Sequence, residues 1–352
     1  MELLIYLILF LLVLIVSSTT NKLLPFLPLP LVQILLGIVI GLFLPNTDFH
    51  LNTELFLALV IGPLLFRESE EADITAILKH WRIIIYLIFP VIFISTLSLG
   101  GLAHLLWLSL PLAACLAVGA ALGPTDLVAF ASLSERFSFP KRVSNILKGE
   151  GLLNDASGLV AFQVALAAWT TGTFSLGQAG SSLIFSILGG FLIGFLTAMT
   201  NRFLHTFLLS VRATDIASEL LLELSLPLVT FFLAEEVHVS GIIAVVVAGI
   251  LKASRFKKIT LLEAQVDTVT ETVWHTVTFM LNGSVFVILG MELEMIAEPI
   301  LTNPIYNPLL LLVSLIALTF VLFAIRFVMI YGYYTYRTRR LKKKLNKYMK
   351  DM

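Results

Sequence analysis

The run Lys148-Gly149-Glu150-Gly151-Leu152-Leu153-Asn154-Asp155-Ala156-Ser157-Gly158-Leu159 sets two carboxylates and an amide inside a longer, mostly apolar stretch, Val143–Trp169. A stretch of that length crosses a hydrocarbon core about 30 Å thick as one helix, each residue adding about 1.5 Å. Asp155 falls almost at its midpoint. A charge at that depth is costly unless paired or hydrated, so an ionisable residue there is a functional hypothesis by default. A proton and a bound cation can each neutralise the carboxylate, and competition between the two is the chemistry of ion exchange. Asn154 cannot carry a proton, but it can orient a neighbour or supply an oxygen ligand. The pair thus offers one titrating carboxylate, and one proton for one monovalent cation is the simplest stoichiometry.

The rest of the chain has the same solvent preference. Of its 352 residues 58% are apolar and only 13% charged, with a mean hydropathy of +0.98, whereas soluble proteins carry about 25% charged residues. Apolar stretches predict eleven spanning helices: Leu3–Thr20, Phe26–Leu44, Asn52–Phe66, Trp81–Leu99, Leu110–Leu133, Val143–Trp169, Ser182–Thr206, Ile216–Ala234, Ser240–Leu251, Val273–Met291 and Pro308–Tyr331. The fold class is therefore all-α integral membrane, since a membrane barrel would alternate apolar and polar residues instead. The first run has no basic residue before it and no small-residue cleavage site, so it reads as a span rather than a removable signal peptide. One cysteine, Cys115, cannot form an internal disulfide, and no Cys/His cluster has metal-ligand spacing. No redox chemistry, zinc, cofactor or nucleic-acid partner is expected.

Basic residues test this division independently, because Lys and Arg collect in cytoplasmic loops. Of the 23 Lys and Arg, all but Arg326 follow an odd-numbered span, counting residues at the helix ends. The N-terminus is therefore expected outside and the C-terminus in the cytoplasm. Residues 1–336 form the transmembrane domain, and 337–352 a basic cytoplasmic tail suited to an anionic membrane surface.

Besides Asp155, three ionisable residues stand out within spans: Asp126, Glu150 and Arg326. Asp126 closes Gly123-Pro124-Thr125-Asp126 at the centre of the fifth span. Proline removes a backbone donor there and glycine weakens the helix, so a break is expected, exposing helix ends that transporters use to hold ions. Glu150 precedes Asp155 by about 7 Å toward the cytoplasm, and Arg326, on an oppositely running span, lies about 6 Å past the midpoint toward the same side. A buried arginine needs a carboxylate, and Glu150 matches it in depth. Glu219 and Glu223 read as a hydrated helix end, Asp267 and Glu271 as part of a surface helix, and His275 as a satisfied core histidine. Gly189, Gly190 and Gly194 read as close helix packing.

These residues resemble the monovalent cation:proton antiporter-1 family of sodium/proton exchangers. Gly123-Pro124-Thr125-Asp126 looks like its broken-helix motif and Lys148 to Leu159 like its ion-site helix. Ala234-Glu235, His238 to Gly249, and Arg326 are similar to further family features. The resemblance implies inverted repeats, a core domain moving against a dimerisation domain, and alternating access in a homodimer of the plasma membrane. It makes Asp155 the shared cation and proton carboxylate, with sodium held by Asp155 and Thr125. Asp126 would offset charge at the broken helix, Asn154 would hold the site's geometry, and Glu150 with Arg326 would form a structural ion pair. An Asn-Asp pair is associated with electroneutral sodium or lithium exchange, the work of a secondary active transporter rather than an enzyme.

The sequence also departs from that pattern. Gly151 replaces a serine, Leu127 a proline, and Arg67 an acidic residue after Gly62-Pro63-Leu64-Leu65-Phe66, where Glu68 can serve instead. No Gly-Leu-Arg-Gly broken helix follows the eleventh span, so the chain reads as ending two helices early, and an inactive or partner-dependent truncated subunit is the alternative. A remote alternative is an intramembrane aspartyl protease using Asp126 and Asp155; against it, Gly123-Pro124-Thr125-Asp126 lacks the second glycine of a Gly-x-Gly-Asp pattern.

Overall fold

The computed structural model describes residues 2–24, 26–43, 52–125, 138–171, 176–211, 215–253, 261–302 and 308–350, and all regular structure among them is helical. Each expected span has a helix. They are α1 (Glu2–Leu23), α2 (Leu29–Phe43), α3 (Thr53–Phe56) with α4 (Gly62–Glu70), and α5 (Ile74–Tyr86) with α6 (Ile92–Leu106). Then come α7 (Leu112–Leu122), α8 (Lys141–Thr171), α9 (Leu176–Ser210), α10 (Ile216–Glu236), α11 (Gly241–Ala253), α12 (Leu261–Thr302) and α13 (Pro308–Lys350). Among the described residues, five helices are long and apolar enough to cross a membrane by themselves, and the chain is an integral membrane protein.

Prolines account for the interruptions. A π-helical turn (Leu57–Ile61) precedes Pro63, and another (Leu87–Val91) contains Pro90. A proline ring crowds the carbonyl four residues back and donates nothing to it, so the preceding turn widens instead of closing. Pro111 and Pro308 stand where helices begin, where a missing amide proton costs least.

Contacts divide the chain into two units interleaved in sequence. The first comprises Met1–Lys79, Asp126–Leu152 and Gly180–Pro304. Its helices meet through glycine: a Cβ on Gly37 or Gly290 would overlap the backbone of the facing helix at Val287 or Ile34, so α2 and α12 pack main chain to main chain. Gly190 and Gly194 do the same for α9 against the Ser240 and Ala244 carbonyls, and Gly189 packs on the Val239 side chain, the close helix packing that the sequence suggested. The turn into α11 is fixed by Glu235, whose Oε1 accepts from the Gly241 amide at 3.1 Å, a carboxylate at the positive end of a helix.

This unit also holds an ionic cluster that the sequence reading passed over. Lys252 Nζ lies 2.8 Å from Glu223 Oε2 and 3.3 Å from Glu70 Oε1. The Trp274 indole donates to Glu223 Oε1 at 2.9 Å, and Arg67 pairs with Glu70 at 3.0 Å and Glu71 at 2.6 Å. Glu223 is thus a bridge between α10, α11 and α12 rather than a hydrated helix end. Glu219 is likewise engaged, 3.2 Å from His205 Nε2. The linear spacing of these residues carried no sign of the neighbours that would reach them. His275 is exposed rather than in the core, and Glu271 lies on α12 itself, not on a separate surface helix.

The second unit comprises His80–Thr125, Leu153–Ala179 and Ile305–Met352. Its α6 and α7 approach closely: a Cβ on Gly100 would stand 2.8 Å from Leu116 Cα, and one on Gly119 would overlap the Thr96 carbonyl. Leu99, Ala103, Cys115 and Leu318 form its buried apolar cluster, and the Tyr86 hydroxyl donates to the Met329 carbonyl of α13 at 3.2 Å.

Candidate functional site

The site residues that the structure brings together all lie in the second unit. The α7 helix starts after Pro111 and ends at Leu122 after 11 residues, about 16 Å or half a bilayer core. The helix of the fifth span therefore stops where the sequence predicted a break. Pro124 cannot donate to the Ala120 carbonyl, which accepts from the Gly123 amide at 3.3 Å instead. Asp126 and the remainder of this span, including Leu127, lie outside the described residues.

A helix that ends at mid-membrane leaves carbonyls without intrahelical donors and a partial negative charge. Arg326 of α13 answers both, donating from Nη2 to the Gly123 carbonyl at 2.5 Å. For this carbonyl end the cationic Arg326 has the complementary sign; the charge-offsetting role that the resemblance gives Asp126 falls on a residue outside the described ones. The link from Arg326 to Gly123 was illegible in the sequence, since matched depth does not reveal which helices are neighbours.

Facing this break is α8. Asn154, wholly buried, donates from Nδ2 to Thr125 Oγ1 at 3.0 Å. One turn later, Gly158 lies so close to the Pro124 ring that a Cβ would overlap it. The four-residue interval places Asn154 and Gly158 on one face, and that face is held against Pro124-Thr125 at two adjacent points. Gly158 was quoted in the sequence run without a role; its position four residues after Asn154 was the available signal. Ser157 donates to the Asn154 carbonyl at 2.9 Å.

The oxygen of the Asn154 amide, Oδ1, is buried and makes no hydrogen bond. A buried acceptor left so costs roughly 1–3 kcal/mol, which leaves a ligand oxygen available beside the Thr125 hydroxyl. Asp155 is the next residue of α8; its backbone is helical, and its side chain lies outside the described residues. Glu150 stands one turn before Asn154 and is buried to 2% exposure.

The family described as "Sodium/hydrogen exchanger, transmembrane" matches residues 7–346. The chain is 36% identical over 313 residues to the sodium, potassium, lithium and rubidium/H(+) antiporter of Bacillus subtilis, covering 89% of this chain and 47% of that protein. It is 35% identical over 337 residues to the Bacillus pumilus protein of the same name, covering 96% and 50%. The chain thus spans about half the length of these relatives. The fold is similar to that of the sodium proton antiporter MjNhaP1 from Methanocaldococcus jannaschii, with a TM-score of 0.64 and 20% identity over 83% of this chain and 71% of that one.

Proposed function

The chain belongs to the sodium/hydrogen exchanger family, and on that premise we propose that it exchanges a monovalent alkali cation, sodium or lithium, for a proton by alternating access. The observation that carries this is the buried, unpartnered Asn154 Oδ1 beside Thr125, at the residue preceding Asp155. Asp155 is the carboxylate that proton and cation neutralise in turn, because burial makes its uncompensated charge costly. Thr125 and Asn154 supply neutral oxygens, which bind the cation without adding a second proton-carrying group. Exchange is then one for one and electroneutral.

Arg326 holds the broken end of α7 in place while the cation leaves and returns. Glu150 supplies the buried countercharge to Arg326, and Asp126 adjusts the charge of the break. The distribution of Lys and Arg supports a plasma-membrane orientation with the N-terminus outside and the C-terminus cytoplasmic. The working unit is a homodimer. The protease reading has no support from the family.

Proteoliposomes carrying a pH-sensitive dye test the proposal. A sodium pulse should dissipate an imposed pH gradient with the parent chain and not with Asp155→Asn. Asn154→Ala should raise the sodium KM about two- to tenfold, the loss expected from one ligand or positioning hydrogen bond. Equal dye signals from the parent and Asp155→Asn would refute exchange by this chain.

A further inference from the structure

The basic run lies on the same helix as the eleventh span. Helix α13 continues unbroken through Lys350, and between Pro308 and Lys350 it contains no acidic residue. Arg337, Arg339, Arg340 and Lys342 are exposed and take part in no ion pair found among the described residues. Four tyrosines, Tyr331, Tyr333, Tyr334 and Tyr336, immediately precede them. Tyr333 is anchored against Tyr86 with ring centroids 4.8 Å apart, while Tyr331 and Tyr336 are both 66% exposed.

Position along the helix identifies the layer that these residues meet. From Leu309 to Tyr331 is about 33 Å, close to the roughly 30 Å hydrocarbon core. Tyrosines concentrate at the boundary of that core. The headgroup layer beyond it is about 5–8 Å thick on each side. Arg337 to Lys342 begin about 9 Å and end about 16 Å beyond Tyr331, just past that layer, and their long cationic side chains, bearing back on apolar stems, reach phosphate depth. At about 100° per residue the four cations spread round the axis rather than along one face. A docked protein would meet one face; a lipid annulus surrounds all of them.

We propose that Arg337, Arg339, Arg340 and Lys342 form a collar that binds the phosphate headgroups of anionic phospholipid, holding α13 in the leaflet on that side. This does not depend on the antiport reading. The test uses the purified chain in phosphatidylcholine bilayers doped with spin-labelled phosphatidylglycerol or spin-labelled phosphatidylcholine. Phosphatidylglycerol should be retained at least about threefold more strongly, and the preference should disappear in about 0.5 M salt, where screening shortens to under about 5 Å. It should also disappear in the variant R337Q/R339Q/R340Q/K342Q and be unaffected by millimolar inorganic phosphate. Equal retention of the two lipids, a salt-insensitive preference, a preference that survives the substitutions, or displacement by free phosphate would each overturn the proposal. If the variant does not insert, the salt titration of the parent decides alone.

Discussion

Gly158 on α8 packs against the Pro124 ring at the broken end of α7, with no room for a side chain between them. A proline ring cannot swing aside as a flexible side chain can. Gly158→Ala should therefore destabilise the protein by about 1–3 kcal/mol, the usual cost of forcing a methyl group into a packed contact. Gly101→Ala is the control, because a Cβ at Gly101 meets nothing within 4 Å. Thermal melting in detergent should lower the midpoint for the first variant and leave the second near the parent; equal midpoints would show that the contact relaxes freely.

Arg326 and the Gly123 carbonyl form a charge-assisted hydrogen bond at the interruption. Removing it with Arg326→Ala should cost roughly 1.5–3 kcal/mol. Arg326→Lys should restore part of that loss, because an ammonium supplies charge and one donor but not the guanidinium's reach and planarity. The order Arg, Lys, Ala in melting temperature is the expected outcome, and a lysine variant no better than alanine would assign the residue's role to shape alone.

The Lys252 bridge between Glu70 and Glu223 predicts strong coupling. All three side chains are at most 16% exposed, so Lys252→Met leaves two carboxylates facing a methyl group. Breaking a buried pair by removing one partner costs about 3–5 kcal/mol. Lys252→Met combined with Glu223→Gln should be less destabilised than the sum of the two single changes. Additive losses in chemical denaturation would mean that the two side chains do not act together.

Asp215 caps α10, accepting from the Ser218 hydroxyl and the Ser218 amide. The hydroxyl first, and the amide after it, hold its carboxyl below the usual carboxylate range. The sign follows from linkage: a carboxyl lowered by folding stabilises the helix start above its ordinary pKa, and that support is lost as pH falls through the folded value. Hydrogen exchange at the Ser218 amide, corrected for intrinsic rate, should lose protection on acidification in the parent. In Asp215→Asn, which keeps the acceptor but does not titrate, the loss should be absent.

The apolar helices were legible because lipid imposes a long apolar run on a crossing, and the run is a local property of sequence. The end of α7 at Leu122 was legible for a similar reason, since Pro124 withholds its donor wherever the chain places it. The roles of Glu223 and Lys252 were not, because a charged residue near a helix end reads the same whether water or a partner from another helix faces it.

The sequence by itself determined that this protein lives in a membrane, that its fifth span is interrupted at Gly123-Pro124, and that Asn154-Asp155 lies at the middle of the sixth. Each follows from composition and spacing within one stretch of chain. Only the tertiary structure decided that Asn154 meets Thr125, that Gly158 meets Pro124, and that Arg326 closes the end of α7. Those partners lie 29 to 203 residues apart in the hydrogen bonds concerned, and which helix faces which is set by the packing of small residues at their crossings.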